Sequence, residues 1–133
     1  MKTVMIVNQS LPPGLAANTT AVLGISLGRM DSSILGPDLK DGSGTRHPGI
    51  TQQTIPVLSA ESYLIKEIFE QSGRLPEISV IDFNTIAQKS RHYDDYTEKL
   101  AAVSTRDLEF SGICLQGPKN QVNKMTGMLK LYR

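Results

Sequence analysis

Cysteine is nearly absent from this chain, and acidic residues are missing altogether from its C-terminal segment. The single cysteine, Cys114, excludes an intramolecular disulfide and fits a reducing cytoplasm. After Met1-Lys2 only five apolar or Thr residues precede Asn8, too few for a signal peptide or a membrane span, so no membrane partner is expected. The two histidines, His47 and His92, have no Cys, His or carboxylate partner at ligand spacing, and no metal is expected. Asp38 and Asp41 lack the alternating oxygen ligands of a calcium loop. There is no Gly-x-Ser-x-Gly elbow, phosphate-binding loop or dinucleotide fingerprint, and so no sign of a cofactor. Internal repeats, low-complexity tracts and a second domain are also absent.

What is present suffices for one domain, residues 1–133, with 39% hydrophobic residues and a net charge of +1. A chain of this length buries a core without disulfides or metals. The near-zero charge excludes broad electrostatic capture of nucleic acid, and tRNA is not an expected partner. From Phe110 to Arg133 there are four cations, Lys119, Lys124, Lys130 and Arg133, and no acid. A solvated helix face and an anion site explain this equally well.

Thr3 to Val7 is a continuous apolar run with β-branched residues, the pattern of a strand covered on both faces. The connector Asn8 to Gly14 leads to a helix over 15–29, with Leu15, Thr19, Val22, Leu23, Ser26 and Leu27 at helical spacing. Gly24 and Gly28 weaken that helix by about 1 kcal/mol each unless it packs closely on a sheet. Asp31 to Gly49 is rich in Gly, Asp, Ser and Pro and reads as a long loop, a candidate lid carrying Arg46 and His47. Ile55 to Leu58 reads as a second strand, with Pro56 at a strand start or edge. Ser59 then caps a helix over 60–72 that stops at Gly73. Ile78 to Phe83 reads as a third strand, and a helix opens at Asp94 or Asp95. Ile113 to Leu115 forms the last strand, the Gly117-Pro118 turn starts the last helix, and Gly127 suits a left-handed exit. Alternation of this kind predicts a three-layer α/β/α domain on a mixed sheet of at least four strands, with Thr3 to Val7 inside it.

The strand, Gly117-Pro118, helix and Thr126-Gly-x-Leu-Lys-Leu131 ending resembles the C-terminus of the second class of peptidyl-tRNA hydrolases. That resemblance implies the same fold but not the same activity. Pro13 to Val22 corresponds to the family's catalytic loop and helix; Gly14 matches, Leu15 stands where the lysine belongs, and no histidine occurs in the helix. Asn18 stands in for the family glutamine with one gap, and Asp82-Phe83-Asn84 matches the Asp-Ala-Gly segment. The family threonine falls on Gly112, or on Ser111 with a slip of one. Leu11 to Gly24, Ile55 to Leu58, Asp82 to Gln88 and Val122 to Gly127 also resemble an uncharacterised bacterial family, domain of unknown function two thousand. That likeness spans nearly the whole chain and implies the fold alone.

Ligands of open α/β sheets gather beyond the carboxyl ends of parallel strands. The candidate ligand-binding residues there are Asn8, Gly14, Asn18, Thr19, Asp82, Gly117 and Lys119. Asn18 and Thr19 also suit the satisfaction of backbone donors near a helix start. Asp82 breaks an apolar pattern at a strand end and reads as a helix cap or a site; it is the one catalytic candidate. Three function classes follow. The first is a protein binding a small anionic or nucleotide-like ligand at the strand ends. The second is a hydrolase of an ester such as peptidyl- or aminoacyl-tRNA, using Asp82 with Asn18 and Thr19. The third is a homodimeric interaction module, a homodimer being the expected assembly.

Overall fold

The structure, a computed structural model, describes residues 1–133. Its main sheet has five strands in the order β5-β6-β1-β4-β7. These are β1 (Lys2–Asn8), β4 (Val57–Ala60), β5 (Ser79–Asn84), β6 (Phe110–Gly117) and β7 (Lys130–Leu131). β1 runs parallel to β4 and antiparallel to β6, which is antiparallel to β5 as well. The apolar run at Thr3–Val7 is buried along its length in the sheet interior, as its two-sided pattern requires.

Five helices cover the sheet: α1 (Pro13–Met30), α2 (Ser62–Gly73), α3 (Thr85–Lys89), α4 (Tyr93–Ala101) and α5 (Lys119–Thr126). Alternation along β1 sends Met5 to one core with Leu23 and Leu27 of α1. Val4 and Ile6 go to the other, with Ile65 and Ile68 of α2 and Val122 and Met125 of α5. Helices therefore lie on both faces, the three layers expected. No helix is long and apolar enough to cross a membrane.

Several boundaries differ from the sequence reading. The second strand begins two residues later, and Ser59 sits inside it, paired with Val7 and Lys130. Glu61 precedes α2 instead and makes no side-chain cap. Pro56 does lie just before the strand, where its carbonyl accepts from the Met5 N–H. Gly127 keeps right-handed geometry at φ −61° and donates to the Asn123 carbonyl; the chain leaves through an ordinary turn, so no left-handed residue is needed.

The Asp31–Gly49 excursion is ordered. It holds a short 3-10 turn and a two-stranded hairpin, β2 (Leu39–Lys40) with β3 (Arg46–His47). A chain of polar groups fixes its base. Asp31 accepts from the Ser33 N–H and hydroxyl and from the Gln116 amide. Gln116 also donates to the Thr3 hydroxyl, which donates to Gln53. The Ser33 hydroxyl, with Gln116 adding to it, holds the Asp31 carboxyl below its usual value.

Gly112 sets the distance between α1 and the sheet. A Cβ there would lie 2.7 Å from the Thr19 methyl and 2.9 Å from the Ile6 carbonyl. Gly112→Ala is therefore expected to destabilise the fold by about 1–3 kcal/mol through overpacking. A urea titration with an unchanged midpoint would show that α1 yields freely.

Cys114, fully enclosed between Met5 and Ile81 in the sheet, has its thiol pushed by burial from 9.0 up to about 12. Below pH 9 the thiol is neutral in folded and unfolded chains alike. Between there and about 12 only the unfolded chain releases its proton, so stability falls as pH rises. Cys114→Ala should remove that component of the fall, read from denaturation midpoints on either side of the thiol's ordinary pKa. An identical slope in both proteins would assign the alkaline loss to other groups.

Candidate functional site

β1, β4 and β5 point the same way, and their carboxyl ends bring Asn8, Ala60 and Asn84 to one end of the sheet. β6 points the other way, so Gly117 pairs with Lys2 at the opposite end. This corrects the expected cleft: Gly117 and Lys119 do not join Asn8, Gly14, Asn18 and Asp82. An apolar run does not encode strand direction, and the sequence reading placed this strand end with the others. Gly117 has a packing role, since a Cβ there would overlap the Ile78 side chain. Lys119 is exposed in the first turn of α5. The excursion's base, held by Thr3 and Gln116, lies at that same far end, which removes it as a lid over Asp82. Its His47 bonds Asp41 at 2.9 Å, and that contact, ahead of the Ser43 and Thr45 N–H groups, holds the Asp41 carboxyl below its usual value.

Two further candidates act in the scaffold. Thr19 is fully buried, donates to the Leu15 carbonyl and turns its methyl toward Gly112. Asn8 accepts from the Ser10 N–H at 2.9 Å and donates to the Phe110 carbonyl at 3.4 Å, closing the turn after β1. Gly14 and Asn18 are exposed. Asn18 lies one turn before Val22 and two before Ser26 on α1 and does not line the cleft at Asp82.

Asp82 lines a polar concavity with Ser26, Ser90, Arg91 and His92. β5 is an edge strand, so residues from both of its faces reach a cleft of about 340 Å³ along that edge. Phe83 enters from the α1 side with Val22 and Ser26; Asp82 enters from the other side. Arg91 and His92 close it from the α3–α4 connection, and Tyr93 and Tyr96 from the first turn of α4. Asn84 builds this arrangement. Fully buried, it caps α3 by accepting from the Ala87 N–H at 2.9 Å. Its amide nitrogen donates to Asp82 at 3.0 Å and to the Tyr96 hydroxyl at 3.2 Å. The Tyr96 ring meets Tyr93 edge-on, with centroids 5.7 Å apart. Register shifts at this point, Phe83 facing Gly112 and Asn84 facing Phe110. The extra residue, Ser111, is buried and donates to Gln88 at 3.0 Å. Bulges of this kind often re-aim side chains beside functional clefts.

Arg91, His92, Tyr93 and Tyr96 were not among the sequence candidates. The signal that leads to them is Asn84 itself, an N-cap three residues before Ala87, which opens a helix too short to show a stripe. That helix folds residues 91–96 back onto Asp82. Chemically, the cleft offers a carboxylate to accept from hydroxyl or amine, a guanidinium for an anion, an imidazole and two aromatic rings. No group of three or more His, Cys, Asp or Glu side chains gathers as a metal site.

Fold and site together define a three-layer α/β protein with a polar cleft along the free edge of its sheet. The chain belongs to the family described as Protein of unknown function (DUF2000), whose model matches residues 1–133. Its structure is similar to that of Atu0240 from Agrobacterium tumefaciens str. C58, a protein of unknown function, with a TM-score of 0.91 at 20% identity. The match covers 99% of this chain and 97% of that one, and at such identity it is a likeness of fold. The curated proteins include no match.

Asn84→Ala is expected to cost about 2 kcal/mol, because it removes a helix cap and leaves buried partners unmet. Asn18→Ala, on an exposed helix surface, should stay within about 0.5 kcal/mol. Equal midpoints for the two variants in thermal unfolding would refute the central position given to Asn84.

Proposed function

We propose that this chain binds a small nucleotide-like ligand in the cleft at Asp82, without hydrolysing it. The observation that carries the reading is the meeting of Asp82 with Arg91, His92, Tyr93 and Tyr96 around one concavity. Arg91 supplies a fork for a phosphate or carboxylate, Asp82 accepts from a hydroxyl or amine, and Tyr93, largely exposed at the rim, offers a face for a planar ring. The Asn84 amide already orients the Asp82 carboxylate, so little order is lost on binding.

The fold is proposed to be that of the second-class peptidyl-tRNA hydrolases, with the activity lost. In support, Leu15 places an exposed alkyl group where that family has its lysine, and α1 carries no histidine. Leu35 and Leu39, exposed on the excursion, and the exposed Ile50 just after it support a homodimer as a second role for the chain.

Titration of ¹⁵N-labelled protein with AMP, adenosine and inorganic phosphate tests the reading. AMP should shift the amides of α1 near Ser26 and of residues 82–96, saturably. Arg91→Ala should weaken AMP about tenfold while leaving adenosine unchanged. Shifts confined to the Gly117–Lys119 end, or no shifts at all, would overturn it. Turnover of a labelled peptidyl-tRNA at the rate of an authentic hydrolase would restore the enzyme reading.

A further inference from the structure

We infer that Asp82 and Tyr96 together read the edge of a nucleobase that carries an amine beside a ring nitrogen; this rests on the Asp82 cleft being a nucleotide site. The wider groove between α2 and α5 holds about 620 Å³. The charges around that groove balance, Glu67 and Glu77 against Arg74 and Lys124, and it selects no ligand. The Asp82 cleft differs because one buried side chain fixes the direction of its hydrogen bonds.

That side chain is Asn84. The Ala87 N–H can only donate, so the Asn84 carbonyl oxygen must face it. The amide nitrogen is thereby turned toward Asp82, at 3.0 Å, and toward the Tyr96 hydroxyl, at 3.2 Å. An amide nitrogen donates and does not accept, so the Tyr96 oxygen is the acceptor and its own proton is directed elsewhere. Tyr96 lines the cleft, and its proton is left for the occupant. Asp82 gives one carboxylate oxygen to Asn84 and enters no ion pair, so its other oxygen is free to accept. One nitrogen thus holds a donor and an acceptor side by side.

An occupant therefore needs an acceptor next to a donor. The N–H of an exocyclic amine and the lone pair of the adjoining ring nitrogen, as in adenine, have this pattern. Tyr93 stands three residues before Tyr96, with ring centroids 5.7 Å apart. Its exposed face suits a flat ring whose edge meets the pair. Inorganic phosphate would set a like charge against Asp82, and Arg91 takes the phosphate at the nucleotide's other end.

The test compares affinities of the full chain by amide chemical-shift titration. The probes are AMP, purine riboside 5′-monophosphate (without the amine), 1-deaza-AMP and 7-deaza-AMP (each without one adjoining ring nitrogen) and 2′-deoxy-AMP. Purine riboside 5′-monophosphate and one of the two deaza analogues should bind about tenfold more weakly than AMP, and 2′-deoxy-AMP equally well. Tyr96→Phe keeps the ring, and should weaken AMP about tenfold while leaving the weaker deaza analogue unchanged. The deaza comparison uses the unaltered protein and stands even if Tyr96→Phe fails to fold. Equal binding of AMP and purine riboside 5′-monophosphate would overturn the proposal and leave the nucleotide reading in place. A loss with 2′-deoxy-AMP instead would assign the pair to the ribose, with the same consequence. No saturation with any probe would remove both readings.

Discussion

All eight residues of β6 are buried, and their backbone bonds are divided between β5 and β1, both of which run against them. This interior antiparallel strand fixes which groups can meet. It sends the end of β5 to the same edge as the end of β1, and it carries Gly117 and the start of α5 to the other. It also sets the depth of the α1 layer, because Gly112 lies under Thr19 where any side chain would hold the helix off. One strand thus controls both the partition of the loops and the thickness of the fold.

The two clefts follow from that partition and differ in kind. One lies on an open sheet edge, where a short helix and a bulge bring charged and aromatic side chains round the last pair of β5. The other lies between two helices of the same layer, where amphipathic stripes leave a seam of methionine and leucine. They share no lining residue, so their chemistries are set by different elements.

Much of the fold was legible in the sequence because burial on two faces leaves a direct mark. Thr3–Val7 reads as an interior strand, α1 as a long stripe, and the alternation of strands and helices as three layers. Strand direction left no such mark, since Ile113–Leu115 is equally apolar read either way, and the expected cleft was drawn across both ends of the sheet. Ser59 misled for a local reason: a good capping residue is also a good partner in a short strand. Asp82 was legible as a polar residue closing an apolar run. Arg91, His92 and the two tyrosines were not, because their approach depends on a five-residue helix and on the three bonds made by the Asn84 side chain.

The excursion between α1 and β4 is fastened where Asp31 accepts from Gln116 and Gln53 accepts from Thr3, Gln116 and Thr3 being themselves bonded. Its two ends are in effect tied to one polar knot on the sheet, and its hairpin hangs from that knot with exposed residues on both strands. The conformational cost of such a pendant grows only with the logarithm of its length, about 0.6 kcal/mol for each doubling. Insertions and deletions in the hairpin, beyond the Leu35–Thr51 bridge and the buried Ile34, are thereby uncoupled from the core, which leaves the hairpin free to change in length while the two cores stay as they are.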